Sequence, residues 1–120
     1  PLTWQILEGK NTVPITLFEA AATVDSGDIY LRDVLEFSGD ELVDELRAAQ
    51  AAASFRLCRR FVAEFPDIVA AAVPQRGEAT YYPRRTPADS RLDPGQPLAA
   101  QFNLLRVVDN DRYPAFFELN

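Results

Sequence analysis

Asp25 and Asp28 flank Ser26-Gly27 and follow the small apolar run Ala20–Val24. A carboxylate held in a tight turn behind small side chains can orient an imidazole or a water and stabilise charge on it. Asp-Ser-Gly-Asp is also a good turn in its own right, so the spacing alone leaves both readings open. It is not a calcium loop, because the alternating carboxylates and closing Glu of an EF-hand are missing. A second candidate is Arg84-Arg85, preceded by Tyr81-Tyr82. Two guanidinium groups beside two aromatic rings can grip a phosphate or stack on a base. They can equally be solvated charges packed by the rings. Asp89, Arg91 and Asp93 alternate in sign, as a salted surface does. Cys58, on the apolar side of a helical pattern, reads as an inert buried residue. Trp4 reads as core, and Arg56, Arg59 and Arg60 as a solvated helix end.

Missing residue types narrow the chemistry further. The 120 residues include no His, so the chain alone supplies no Ser-His-Asp or Cys-His nucleophile, no zincin motif and no imidazole base. A single Cys excludes an internal disulfide and an all-Cys metal site. With five Gly, neither Gly-x-Gly-x-x-Gly nor a P-loop can be written. Twelve Lys plus Arg against 18 Asp plus Glu give a net charge of −6, which weighs against nucleic acid and anionic membrane as main partners. The apolar share of 48% is that of a globular chain, and the length allows one domain at most, with one modest core. No apolar run approaches the length of a membrane-spanning helix.

The elements that would position these residues follow from pattern and punctuation. Leu2–Leu7 reads as a short helix with Leu2, Ile6 and Trp4 inward, ended by a left-handed Gly9. Val13–Phe18 and Ile29–Phe37 read as strands, with Pro14 at a start or an edge. Ser38 and Glu41 have capping-box spacing, which predicts a helix from there to about Phe65, stopped by Pro66. Its apolar stripe is Leu42, Leu46, Ala49, Ala53 and Leu57, widened by Phe55, Cys58, Val62 and Phe65. Residues 67–77 read as a connector. From Glu78 a Pro-rich stretch reads as a structured arm. Pro97 opens a second helix, with Leu98, Phe102, Leu105 and Val108 on one face. Asp109-Asn110-Asp111 ends it, and Tyr113–Leu119 reads as a last strand. The predicted class is α/β, and the chain divides at 1–66, 67–97 and 98–120. Pro1 stands directly before a helical pattern, and the chain closes on the apolar run Ala115–Leu119, so both ends read as cut and the chain as a fragment.

Pro1-Leu2-Thr3-Trp4, Gly9, Ile15-Thr16-Leu17 and Val24-Asp25-Ser26-Gly27-Asp28-Ile29 together carry a resemblance. The pattern is similar to the second half of the catalytic domain of formyltransferases that use 10-formyltetrahydrofolate. Those enzymes act on methionyl-tRNA, glycinamide ribonucleotide or nucleotide-linked amino sugars. Arg84-Arg85-Thr86-Pro87-Ala88-Asp89-Ser90, Leu104–Val108 and Pro114-Ala115-Phe116 resemble the sugar-nucleotide branch more than the tRNA branch. The resemblance implies part of a Rossmann-like formyltransferase sheet with a long packing helix, then an arm and an incomplete small C-terminal subdomain. It implies a site of an Asn, a His two residues later and an Asp. Asp25 matches the Asp. The Asn and His belong upstream of Pro1, so the isolated chain is expected to be inactive. The backbone of Ala21, Ala22, Thr23, Val24 and Asp25 matches the segment that holds the folate pterin.

The activity implied is transfer of a formyl group from 10-formyltetrahydrofolate to the amino group of a nucleotide-linked amino sugar, without metal. A methionyl-tRNA formyltransferase and a non-catalytic binding module are the alternatives. Nucleic acid is a partner only under the tRNA alternative. A cytoplasmic location, no membrane partner and a homodimer complete the expectations.

Overall fold

The computed structural model describes residues 1–120 and is α/β, with element order α1 (Leu2–Leu7), β1 (Thr12–Phe18), β2 (Ile29–Glu36), α2 (Val43–Glu64), α3 (Asp67–Ala70) and α4 (Phe102–Val107). The chain forms two compact units, one of residues 1–11, 37–47 and 81–120, the other of 12–36 and 48–80. No helix is long and apolar enough to cross a membrane.

In the first unit, α1 ends as its sequence predicts. Gly9 takes φ 81°, its amide donates to the Ile6 carbonyl, and the Lys10 amide donates to that of Gln5. These two bonds satisfy carbonyls that the helix end would otherwise orphan, and only glycine adopts the turn without strain. Ile6 then packs with Leu46 and Val107, flanked by Leu2, Leu7 and Phe37. The predicted inward face of the second helix is only partly right. A 3-10 turn, Leu98–Gln101, leads into α4, and both Leu98 and Phe102 are exposed, whereas Arg106, Val107 and Val108 are buried. Helix α4 has only six residues, too few to carry a long stripe inward. The predicted strand at 113–119 does not form. That stretch makes only single bridges, Asp109 with Tyr113 and Arg91 with Phe116.

The second unit holds an antiparallel pair, β1 against β2. Val13 faces Leu35 and Leu17 faces Leu31 in register, so each pair shares one face of the ribbon. Val13, Leu31 and Leu35 are buried. Pro14 lies on β1, which has no further neighbour and so loses no ladder bond to the ring. Asp33 interrupts the apolar alternation of β2. The structure accommodates it by a pair of bonds from Arg56, at 3.2 and 2.9 Å. The Val34 amide, and then Arg56, hold the Asp33 carboxyl below its ordinary range.

Helix α2 starts later than predicted. Ser38 and Glu41 do bond, with the Ser38 amide and hydroxyl both donating to Glu41 Oε1 at 2.7 Å, but they close a turn ahead of the helix. The helix instead begins at Val43, and Glu45 reaches back to accept from the Leu42 amide at 2.8 Å. Its buried line is Leu46, Ala53 and Leu57. Phe61 continues that line and packs against the cluster of Leu31, Leu57 and Ile68. The expected widening fails, because Phe55, Cys58, Val62 and Phe65 are exposed, as is Leu42. At about 100° per residue, positions 46, 53, 57 and 61 stay on one side while 58 and 62 turn away from it. Cys58 is therefore a surface thiol, correcting its reading as buried. Past Pro66, the expected connector contains α3, whose Ile68 is buried.

Candidate functional site

The five residues matched to the folate segment and the carboxylate lie on one loop, between the ends of β1 and β2. Its base is closed by the Glu19 amide donating to the Asp28 carbonyl at 2.8 Å. The Tyr30 hydroxyl also donates to the Glu19 carboxylate. Gly27 is buried at this base, and a side chain there would collide with the carbonyl of Glu19. Only glycine allows the two backbones to come so close. Inside the loop, Ser26 Oγ donates to the Thr23 carbonyl at 2.7 Å.

Gln75 fixes the loop from a different stretch of chain. Its Nε2 donates to the Asp25 carbonyl at 2.9 Å and to the Gly27 carbonyl at 2.7 Å. Val73, two residues earlier, exchanges backbone bonds with Ile29 at 2.7 and 2.9 Å and so delivers Gln75 to the loop. Sequence reasoning treats Gln75 only as part of the connector 67–77. The β-branched Val73 before it was the available signal for a strand-like contact.

Ala21, Ala22, Thr23, Val24 and Asp25 are all exposed. Asp25 has φ 54°, the left-handed conformation, and no other non-glycine residue of the chain has a positive φ. Asp tolerates this region better than most residues because its short polar side chain bonds locally. Gln75 holds the Asp25 backbone carbonyl, which fixes where the side chain leaves the chain. The loop thus offers an accessible carboxylate on a defined backbone, next to a run of small side chains.

The arm candidates lie in the first unit and separate there. Tyr81 and Arg84 are exposed, while Tyr82 and Arg85 are half-buried. Trp4 is half-buried rather than core, stacked on Tyr82 at 6.2 Å between ring centroids and 13° between planes. Its indole N–H donates to the Pro83 carbonyl at 2.9 Å, and the Arg85 guanidinium lies 5.8 Å from its ring centroid. Arg85 Nη2 donates to the Asp89 carbonyl at 3.1 Å, whereas Nη1 is buried without a partner. Trp4, Tyr82 and Arg85 line a cavity of about 340 Å³ with Arg47 and Tyr113. Arg47 pairs with Asp109 at 2.9 Å, whereas Arg85 has no carboxylate partner.

Arg106 is the buried polar residue that sequence reasoning missed. It is 0% exposed, and it donates to the Glu41 carbonyl, the Glu41 carboxylate, Asn11 Oδ1 and Asn103 Oδ1 at 2.9–3.1 Å. Its role is to tie three stretches of the first unit together. No group of His, Cys, Asp and Glu in the structure is arranged to hold a metal ion.

No protein-family model matches the chain. Solved structures do match. Methionyl-tRNA formyltransferase from Clostridium thermocellum superposes on 100% of this chain with a TM-score of 0.68 and 27% identity. The chain is similar in fold to that formyltransferase. It spans 51% of that protein's length, about half. Two variants of HypX from Aquifex aeolicus match 98% of the chain at a TM-score of 0.61, with 16% and 18% identity, over 21% and 22% of their own lengths. At that identity the likeness to HypX is one of fold alone.

Proposed function

We propose that the chain is part of an N-formyltransferase that moves a formyl group from 10-formyltetrahydrofolate to the amino group of a nucleotide-linked amino sugar. The loop of Asp25 carries this reading: a left-handed Asp25, its carbonyl held by Gln75, on an exposed run of small residues. The similarity to a methionyl-tRNA formyltransferase supports formyl transfer as the reaction class.

The donor supplies an electrophilic formyl carbon. A neutral amine of the acceptor forms the new C–N bond there and gives up one proton, the carbonyl oxygen carries negative charge, and the old C–N bond breaks as the folate nitrogen takes a proton. Stabilising that oxygen and delivering that proton are the tasks of the site. An imidazolium can do both, and a carboxylate beside it favours its charged form. This chain has no His, so the imidazole comes from sequence outside it. Asp25 supplies the carboxylate. The residues present fit the pterin as well. The Thr23 and Asp25 carbonyls are engaged by Ser26 and Gln75, which leaves backbone groups of Ala21, Ala22 and Val24, behind small side chains, to meet a flat ring.

The arm favours the sugar-nucleotide acceptor. A cavity lined by Arg85, Trp4 and Tyr82 suits a phosphate carried on a flat or ring-shaped body. The tRNA reading is kept by one observation, the likeness to the Clostridium enzyme. The net charge of −6 weighs against an RNA surface on this part of the protein.

The test is Asp25→Asn in the full-length protein, assayed with formyl-folate against UDP- and dTDP-amino sugars and against charged initiator tRNA. Asn also tolerates the left-handed conformation, so the fold should persist. Turnover is expected to fall by about a hundredfold or more, the scale of a lost acid–base partner. Wild-type turnover by the variant would remove Asp25 from the mechanism, and turnover on tRNA alone would reverse the acceptor.

A further inference from the structure

The arm has no regular secondary structure from residue 78 to residue 86, yet Arg85 keeps a defined position at the cavity wall. Something other than a backbone ladder must hold it. The contacts converge on Trp4, which touches three of four consecutive arm residues by three kinds of interaction. It stacks on Tyr82, donates its indole N–H to the Pro83 carbonyl, and lies beneath the Arg85 cation. Its own backbone belongs to α1, which is closed at its end by the Gly9 turn and packed inward through Ile6, 0% exposed. Just past the same helix, the Glu8 carboxylate lies near the Tyr82 hydroxyl and pushes its pKa up.

We propose that Trp4 is the positioning residue of the arm, holding the Arg85 guanidinium at the cavity wall for an anionic acceptor. The indole does this with one flat side chain. Its edge nitrogen fixes the arm backbone at Pro83, and its face carries the cation two residues on. A guanidinium resting on a ring keeps its positive charge uncompensated, whereas pairing with a carboxylate would neutralise it. Asp89 could have been that carboxylate, but it is engaged instead. Its Oδ2 accepts from the Thr86 amide at 2.6 Å and from the Thr86 hydroxyl at 3.2 Å, so Arg85 reaches only its backbone carbonyl. This inference rests on the acceptor reading given above as far as the anion is concerned; the anchoring of the arm stands apart from it.

Trp4→Leu and Trp4→Phe in the full-length protein provide the test, with two readouts. In steady-state kinetics with the amino-sugar acceptor, Trp4→Leu is expected to raise the acceptor KM about tenfold, with kcat and donor KM within about twofold. Trp4→Phe keeps a ring under the cation but loses the N–H, so its KM should lie between. In limited tryptic digestion without acceptor, cleavage after Arg84 and Arg85 should be about tenfold faster in Trp4→Leu, with the far-ultraviolet spectrum unchanged. Unchanged cleavage at both arginines would overturn the inference, as would an acceptor KM that does not move. A joint fall of kcat and both affinities, with loss of helical signal, would also overturn it, by showing Trp4 to be a general support of the fold. If the unsubstituted protein turns over no amino sugar, the functional reading fails, and the cleavage rates alone then decide the role of Trp4.

Discussion

A methyl group on residue 27 would run into the Glu19 carbonyl, so the loop that carries Asp25 depends on one missing side chain and one added amide. Gln75 is the softer of the two supports and therefore the better probe. Gln75→Leu removes both of its bonds and is expected to cost about 1–2 kcal/mol in urea unfolding. Amide exchange should quicken at residues 25–27 while the β1–β2 ladder stays protected. Gln75→Glu should cost more, because a carboxylate would then face two carbonyl oxygens. At this scale the turn at Asp25 was legible in the sequence, through the composition of Val24-Asp25-Ser26-Gly27-Asp28. Gln75 was not, since its partners are 48 and 50 residues away and no local rule joins them. Arg106 was hidden for a different reason. Its residue type reads as solvated, and only the meeting of Asn11, Glu41 and Asn103 around it makes burial affordable.

The elements were easier to read where local chemistry decides them. Helix α1 and its glycine stop, and the two strands with their alternating faces, follow from capping, periodicity and turn residues. Helix α2 shows the opposite case. Its length was evident, but its start was displaced because Ser38 and Glu41 spend their capping bonds on a preceding turn. Its apolar width was overestimated, because hydrophobic residues are not confined to buried faces. The two sides of α2 should respond differently to substitution. Leu57→Ala, in the cluster with Leu31 and Ile68, is expected to cost about 2–5 kcal/mol. Phe55→Lys and Val62→Lys, at residues 71% and 73% exposed, should each change stability by no more than about 0.5 kcal/mol. Chemical denaturation of the three variants checks both expectations. The missing strand at 113–119 belongs here too. Its apolar residues suggested a ladder, but Phe116 bonds backbone only at Ser90 and Leu92, a single bridge without a continuing neighbour.

For the whole molecule, acid is the informative perturbation. The Ser38 amide is the largest influence holding the Glu41 carboxyl down, to about 2, helped by the Ser38 hydroxyl and the Gly39 amide. Asp33, Asp89 and Asp109 are lowered in the same direction from 3.8. A carboxyl whose folded-state pKa is depressed stabilises the fold fully above its ordinary value and loses that contribution as protons are forced onto it. The melting temperature should therefore fall as pH drops from 4.5 towards 2. Glu41→Gln should flatten that slope and, by leaving Arg106 without its carboxylate, lower stability at neutral pH by about 3 kcal/mol. A variant with the full acid slope would assign the effect to Glu8 and the three aspartates. The interleaving of the two units has a further consequence during synthesis. Residues 12–36 and 48–80 can complete their unit once residue 80 has left the ribosome, whereas Ile6 and Leu46 must wait for Val107, and Asn11 for Arg106 at a separation of 95 residues. The nascent chain thus carries an unsatisfied apolar helix through most of its emergence, so a translational pause before residue 102 would be the moment at which a chaperone finds it.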